Sequence, residues 1–170
     1  MTMAAHSTYI GIDPDVDKSG FAVLDRASGA LELESLTFTQ LMNRLVQIRA
    51  TKADAVVVVE AGWLNRGNWH VRYHDNKGQA TMKGYQVGRN HEAGKKIVEV
   101  AKFFGFEVIE QKPLRKCWRG TDGKITAEEL AQLTGYRKRS NQDSRDAALL
   151  CLAAANVPLI MNKRIRNLMI

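Results

Sequence analysis

Residues 9–25 read YIGIDPDVDKSGFAVLD, two short apolar segments separated by Pro14 and several charged residues. Apolar segments of this length that are bounded by turn residues are typical of strands. The following segment LELESLTF, residues 31–38, alternates apolar and polar side chains as a half-exposed strand does. The five residues 26–30 contain a Ser-Gly pair and suit a hairpin turn. The N-terminal part is therefore predicted to be an antiparallel meander of three strands.

Beyond the meander, helical and strand patterns alternate. Thr39 is predicted to cap an amphipathic helix that runs to about Ala50. AVVVVE, residues 55–60, is a β-branched run of the kind found where both faces of a strand are covered. Residues 61–82 carry Gly and Asn with no sustained period, and we predict an exposed loop there.

The C-terminal half continues the alternation with a helix over about 84–104 and a strand at 106–110. Two helices follow, a short one that begins with a capping box of Thr126 and Glu129 and ends at Gly135, and a long one over 141–156. The order β-β-β-α-β-α-β-α-α predicts an α/β fold. Its five-stranded mixed sheet would have three antiparallel strands, then two parallel ones, with helices on both faces.

The composition limits the classes of protein to which the chain can belong. A length of 170 residues favours a single domain, residues 1–170. The net charge of +7 favours a polyanionic partner such as nucleic acid. Cys117 and Cys151 form no CxxC motif, so a thiolate zinc site is excluded. No apolar run approaches the ~20 residues of a membrane span and no signal peptide pattern is present, so we expect a cytoplasmic protein without a membrane partner.

Four carboxylates stand at positions where the predicted elements end or pack. Asp13 ends the first strand and Glu60 the fourth, so they emerge at one sheet edge if these strands are parallel neighbours. Asp143 and Asp146 share one face of the last helix, next to residues that pack. Taken singly, each acid has a plain structural explanation, such as a turn, a helix N-terminus or a solvated surface.

Taken together, these acids form the oxygen-rich set that Mg²⁺ prefers, and Mn²⁺ is expected to substitute for it. Two such ions ~4 Å apart activate water and stabilise the leaving oxygen in phosphodiester cleavage. The excess positive charge then indicates nucleic acid as the substrate class.

Three blocks of sequence resemble the motifs of the RuvC family of Holliday junction resolvases, in the ribonuclease H-like superfamily. They are GIDPDVDKSGFAVLD at 11–25, VVVVEAGW at 56–63 and DSRDAALLCLAAA at 143–155, in the family's order. The resemblance implies a ribonuclease H-like fold, four metal-binding acids and DNA four-way junctions as substrate. The acids fall on Asp13, Glu60, Asp143 and Asp146. A homodimer is expected as well, because two symmetric nicks require two sites.

The family also places lysines near the scissile phosphate, which implies Lys116 and Lys124 as candidates, the second better placed just before a helix. Asp15 stands where the family usually has Gly, and Asp17 follows it. These two acids could alter metal binding, but we favour a role in the turn.

Basic and aromatic side chains interleave near the proposed site, a composition suited to stacking bases and holding phosphates. Tryptophans at two of these positions could instead be core residues. Further basic groups flank the site in sequence and would contact phosphates. The candidates for nucleic-acid binding are Trp63, Arg66, Trp69, Arg72, Tyr73, Lys77, Arg115, Arg119, Arg137, Lys138 and Arg139.

The leading hypothesis is a Mg²⁺-dependent crossover junction endodeoxyribonuclease. Two alternatives stay open: another nuclease of this fold that cuts RNA:DNA hybrids or a different structured nucleic acid, and a noncatalytic nucleic-acid binding module. The presence of all four acids counts against the noncatalytic module.

Overall fold

The computed structural model describes residues 6–65 and 72–156. The elements follow the predicted order, with additional 3₁₀ turns at Gly62–Leu64 and Thr121–Gly123. The strands are β1 Thr8–Asp13, β2 Ser19–Asp25, β3 Leu31–Leu36, β4 Ala55–Glu60 and β5 Glu107–Gln111. The helices are α1 Phe38–Thr51, α2 Lys77–Phe103, α3 Ala127–Thr134 and α4 Gln142–Ala154.

The sheet has five strands in the order β3-β2-β1-β4-β5, so β1 lies at its centre. β1 to β3 form the predicted antiparallel meander, and β1, β4 and β5 are parallel. Ile12 pairs with Val59. The next residue on each strand, Asp13 or Glu60, therefore leaves the sheet at the same edge, as predicted.

Side chains of β1 and β4 alternate between two apolar cores, one on each face of the sheet. Tyr9, Val56 and Val58 pack in the core that contains α3 and α4. Their neighbours in the strands, including Ile12 and Val59, pack in the core that contains α1 and α2. Because successive side chains of a strand point to opposite faces, Asp13 and Glu60 belong to the face that α4 covers.

Two glycines allow α4 to lie directly on the strands. A Cβ at Gly11 would overlap the carbonyl oxygen of Ala147 and lie 2.9 Å from Cys151 Sγ, and one at Gly20 would overlap the carbonyl oxygen of Asp143. Gly20 pairs with Asp13 across β1 and β2. The close approach at Gly20 therefore brings the first turn of α4 to the end of β1.

The predicted start of α1 is wrong by two residues, because Thr37 and not Thr39 is the N-cap. The Thr37 hydroxyl accepts a hydrogen bond from the Gln40 backbone N–H (3.4 Å), and the Gln40 side chain accepts from the Thr37 N–H (3.0 Å). This reciprocal capping box fixes the helix start. The caps predicted for α3 are confirmed, with Thr126, Glu129 and the left-handed Gly135 in the expected positions.

The predicted loop over 61–82 is too long. Asn76 caps α2 through its own box with Gln79, whose backbone N–H donates to Asn76 Oδ1 at 2.9 Å. Lys83 reinforces this start by an ion pair with Asp75 (2.7 Å). The helix thus begins seven residues before the predicted Gly84, whereas residues 66–71 of the predicted loop lie outside the described residues.

Within the two described ranges, no helix is long and apolar enough to cross a membrane.

The close packing at Gly20 generates a stability prediction. In the Gly20→Ala variant the new methyl group must displace the backbone of α4, and overpacking of this kind costs about 1–3 kcal/mol. Gly88→Ala is a matched control, because a Cβ there meets nothing within 4 Å and alanine favours the helix interior. Thermal melting should show a lower Tm for Gly20→Ala and an unchanged or higher Tm for Gly88→Ala. Equal Tm values for the two variants would contradict the packing described.

Candidate active site

A cavity of about 520 Å³ opens at the sheet edge where β1 and β4 end. One side of it is formed by the ends of these strands and the first turns of α4. The other sides come from α2 and from the connector between β5 and α3. Its position follows from the fold, since ligands of open α/β sheets bind outside the carboxyl ends of the strands.

The cavity brings together the four acids that the sequence singled out. Asp13 comes from β1 and Glu60 from β4, and Asp143 and Asp146 lie on the first turns of α4. Strand alternation turns the first two toward α4, and the glycine contacts bring α4 close to them. Residues separated by more than 80 positions in the chain therefore share one wall.

The Asp13 carboxyl is affected by the charges of all three other acids. Its burial raises its pKa well above the usual range, and the nearby charges of Glu60, Asp146 and Asp143 raise it further. Lys124 acts in the opposite direction. A carboxyl held among three other acids is costly to ionise unless a cation compensates for the charge.

The pKa values of Glu60 and Asp143 are raised for similar reasons. Burial raises the pKa of Glu60, the charge of Asp146 adds to it, and Lys116 and Lys124 oppose the shift. The pKa of Asp143 is also raised, first by burial and then by Asp15 and Asp146, against the effect of Lys124. The cavity wall is thus a region in which negative charge accumulates.

Both candidate lysines line this cavity, and a turn in the connector brings them there. Gly120 N–H donates to the Lys124 carbonyl (2.9 Å), and Trp118 N–H donates to the Gly123 carbonyl (3.0 Å). The chain thereby folds back and carries Lys116 and Lys124 to the same side. Lys124 Nζ lies 3.5 Å from Asp146 Oδ2. Lys124 is therefore the lysine in direct contact with the acids.

The four acids offer carboxylate oxygens, the ligands that a hard divalent cation prefers, and His91 of α2 also lines the cavity. Across residues 6–65 and 72–156, no three Asp, Glu, His or Cys side chains converge closely enough to form a complete metal site. Carboxylates of like charge repel one another, and a cation supplies the counter-charge that would draw them together. The residues thus fit Mg²⁺ by their chemistry.

Trp63 lies at the cavity with part of its ring in the core. Its Nε1–H donates to Glu110 Oε2 (3.1 Å), and its ring packs against Gly94 of α2 and the edge of His91. Gly94 is required here, since a Cβ at that position would collide with the indole. Trp63 is thus partly buried against the core and also lines the cavity, and its base-stacking role stays a prediction.

Asp15 occupies the turn as predicted and also lines the cavity. Its Oδ1 accepts from the Asp17 backbone N–H (2.9 Å), an interaction typical of a turn. Its Oδ2 accepts from Asn90 Nδ2 of α2 (3.3 Å). Asp17 is exposed and does not line the cavity. Asn90 was missed by the sequence reasoning, because only the packing of α2 brings it to the turn.

Of the other described candidates for nucleic-acid binding, one lines the cavity and the rest do not. Arg115 lines the cavity together with Trp63. Exposed positions outside the cavity lining are occupied by Arg72, Tyr73, Lys77, Arg119, Arg137, Lys138 and Arg139. Arg66 and Trp69 lie outside the described residues.

The chain is similar to known proteins in structure, whereas comparisons of its sequence found no match. No protein-family model matches the sequence, and no curated protein matches it. The structure of T. thermophilus RuvC in complex with a Holliday junction substrate matches with a TM-score of 0.51 at 17% identity, over 88% of this chain and 93% of that chain. A second Thermus thermophilus RuvC structure matches with a TM-score of 0.50 at 18% identity, over 87% and 93% of the two chains.

The fowlpox virus Holliday junction resolvase matches with a TM-score of 0.46 at 16% identity, over 88% of this chain and 98% of that chain. Because the identities are low, the two RuvC structures establish the fold alone. The resemblance to RuvC that the sequence motifs indicated is therefore confirmed at the level of structure, and the chain has a ribonuclease H-like fold.

Proposed function

We propose that this chain is a Mg²⁺-dependent, structure-selective endodeoxyribonuclease that resolves four-way DNA junctions. The observation that carries the proposal is the cavity wall formed by Asp13, Glu60, Asp143 and Asp146 with Lys124 beside it. The fold shared with a RuvC structure that contains a Holliday junction substrate supports the choice of DNA substrate.

The four acids would hold Mg²⁺, or Mn²⁺ in its place, and when bound this ion supplies a Lewis acid for the phosphate and a water of lowered pKa. Each carboxyl must be ionised to act as a ligand, so the raised pKa of Asp13 makes acidic pH unfavourable for binding. Lys124 presents its ammonium group beside Asp146. There it would stabilise negative charge that develops on the scissile phosphate.

Lys116 would contribute a second positive charge on the same side of the cavity. Its charge acts on Glu60, the acid at the end of β4. Because it is more exposed than Lys124, we assign it the role of a phosphate contact or of a replacement for Lys124.

Trp63 and Arg115 would contact the DNA next to the reacting phosphate, the indole by stacking and the guanidinium by an ion pair. The exposed basic residues would hold more distant phosphates, and from the sequence alone we propose Arg66 and Trp69 as further nucleic-acid contacts. We also propose that two copies of the single domain act together, because two symmetric nicks require two sites.

The experiment is a cleavage assay with purified protein on a four-way junction, a linear duplex and an RNA:DNA hybrid, each with Mg²⁺ or EDTA. Wild-type protein should cut the junction in Mg²⁺ only. Asp13→Asn should abolish cleavage while junction binding persists, since the change removes one ligand charge and leaves the basic surface intact. Asp17→Asn is the matched control, because Asp17 is an exposed acid outside the cavity, and it should cleave normally.

Near wild-type cleavage by Asp13→Asn would overturn the assignment of the site. Preferential cleavage of the hybrid would support the other nuclease hypothesis. Tight junction binding without cleavage of any substrate by the wild type would support the noncatalytic module.

The repulsion among the acids gives a second prediction, on stability. Because the folded-state pKa of Asp13 is raised, the metal-free protein loses stability as the pH rises from the ordinary Asp pKa to the raised one, and above it the loss is complete. Asp13→Asn should therefore raise the Tm in EDTA at pH 7.5. This gain should shrink as the pH falls and be smallest below the ordinary Asp pKa of about 3.9, where the carboxyl is protonated in both the folded and the unfolded state.

Mg²⁺ should stabilise the wild type by about 2.7 kcal/mol at a hundredfold excess over Kd, and its Tm should rise accordingly. The Tm of Asp13→Asn should rise much less. Differential scanning fluorimetry measures both effects. An equal response of the two proteins to Mg²⁺, or a less stable Asp13→Asn in EDTA at pH 7.5, would contradict the proposed role of Asp13.

A further inference from the structure

Gln142, the first residue of α4, uses every polar atom of its side chain. Its Nε2 donates to Asp146 Oδ1 (2.8 Å) and to the backbone carbonyl of Ile125 (3.3 Å). Its Oε1 accepts from Arg145 Nη2 (3.0 Å). A half-buried amide whose two N–H groups and oxygen are all engaged is held in one orientation.

Arg145 fixes which way this amide faces. A guanidinium group can only donate, so Gln142 must turn its oxygen toward Arg145, and its NH₂ group is left for the Asp146 carboxylate. Arg145 is itself fixed by three backbone or hydroxyl acceptors: Nε donates to the Ile125 carbonyl (3.1 Å), and Nη1 donates to the Ser140 carbonyl (2.9 Å) and hydroxyl (3.3 Å). The pair therefore ties the start of α4 to the backbone at Ile125.

That backbone belongs to the segment that carries Lys124. The chain before it is a short turn with positive φ at Asp122 (55°) and Gly123 (71°), so Lys124 is positioned by turn hydrogen bonds and not by a long helix or a strand. Ile125 is anchored on one side by its fully buried side chain and on the other by its carbonyl bonds to Gln142 and Arg145. The position of Lys124 thus depends on α4 as well as on the turn before it.

Both oxygens of the Asp146 carboxylate are engaged as a result. Oδ1 accepts from Gln142, and Oδ2 faces the Lys124 ammonium at 3.5 Å. Without the Gln142 amide, the carboxylate would lose the contact that sets its rotation, and the Ile125 carbonyl next to Lys124 would keep only its bond from Arg145.

We propose that Gln142 is a positioning residue that holds Asp146 and Lys124 in their working geometry, with Arg145 fixing its amide. The inference rests on the proposed function, since it concerns the same carboxylates. Hydrogen-bonding partners that orient a metal ligand typically account for about 10–100-fold in metal affinity or activity. Gln142 does not line the cavity, so it should affect DNA binding little.

The test compares wild type with Gln142→Leu, which keeps a side chain of similar size and removes the amide. Isothermal titration of the metal-free protein gives the Mg²⁺ affinity, and junction cleavage gives kcat and KM. We expect Mg²⁺ affinity, kcat or both to fall by about 10–100-fold while KM for the junction stays at the wild-type value. Gln47→Leu, on the exposed face of α1 across the sheet, is the matched control and should behave as wild type.

Arg145→Lys keeps the positive charge and removes the donor to Gln142, and it should lower the same quantities in the same direction. Because the two residues act as one unit, the double variant should lose less than the product of the two single losses. Arg145→Lys also provides the comparison if Gln142→Leu does not fold, as judged by circular dichroism and melting.

Wild-type Mg²⁺ affinity together with wild-type kcat in folded Gln142→Leu, or in Arg145→Lys where it replaces that variant, would overturn this inference and leave the proposed function standing. A raised KM at constant kcat and metal affinity would also overturn it, because Gln142 would then be a DNA contact. If the wild type binds Mg²⁺ but cuts no junction, the proposed function fails and the affinity comparison alone decides the inference. If the wild type binds no Mg²⁺, both fail.

Discussion

The candidate site depends on the direct contact between α4 and the central strands at Gly11 and Gly20. Packing at this distance is possible only where the strands carry no side chain, since a Cβ at either position would overlap the backbone of α4. The contact at Gly20 lies beside Asp13 in the register of the sheet. Helix and strand acids are therefore held together by backbone packing rather than by attraction between the acids themselves. This arrangement is needed because the acids repel one another.

The packing brings like charges together, and Lys124 of the connector supplies a positive charge beside them. Burial and mutual repulsion raise the pKa of Asp13, Glu60 and Asp143, and Lys124 opposes the shift at each of them. A lysine on an irregular connector is useful here only if its backbone is fixed. The backbone hydrogen bonds of the connector turn fix it in part, and Gln142 and Arg145 add bonds to the Ile125 carbonyl from the same helix that carries two of the acids. One helix thus positions both the negative and the positive side of the site.

Much of this could be predicted from the sequence because strand alternation, β-branched runs and capping residues act locally. The register of two parallel strands already implied that Asp13 and Glu60 leave the sheet at one edge. The start of α2 was missed because its box uses Asn76 and Gln79, and glycines near its start weaken the helical pattern. The contacts of Gln142 could not be predicted, since they join α4 to a connector 17 residues away whose path depends on backbone turns rather than on a side-chain period.

The central claim is that the four acids form one metal site, and the most direct measurement is an anomalous difference map from a crystal grown with Mn²⁺. The account predicts peaks in contact with the carboxylate oxygens of Asp13 and of at least one acid of α4, with Glu60 turned toward the same position. Peaks confined to Asp15 and Asp17 would contradict it. A map with ordered carboxylates and no peak among them at saturating Mn²⁺ would contradict it equally.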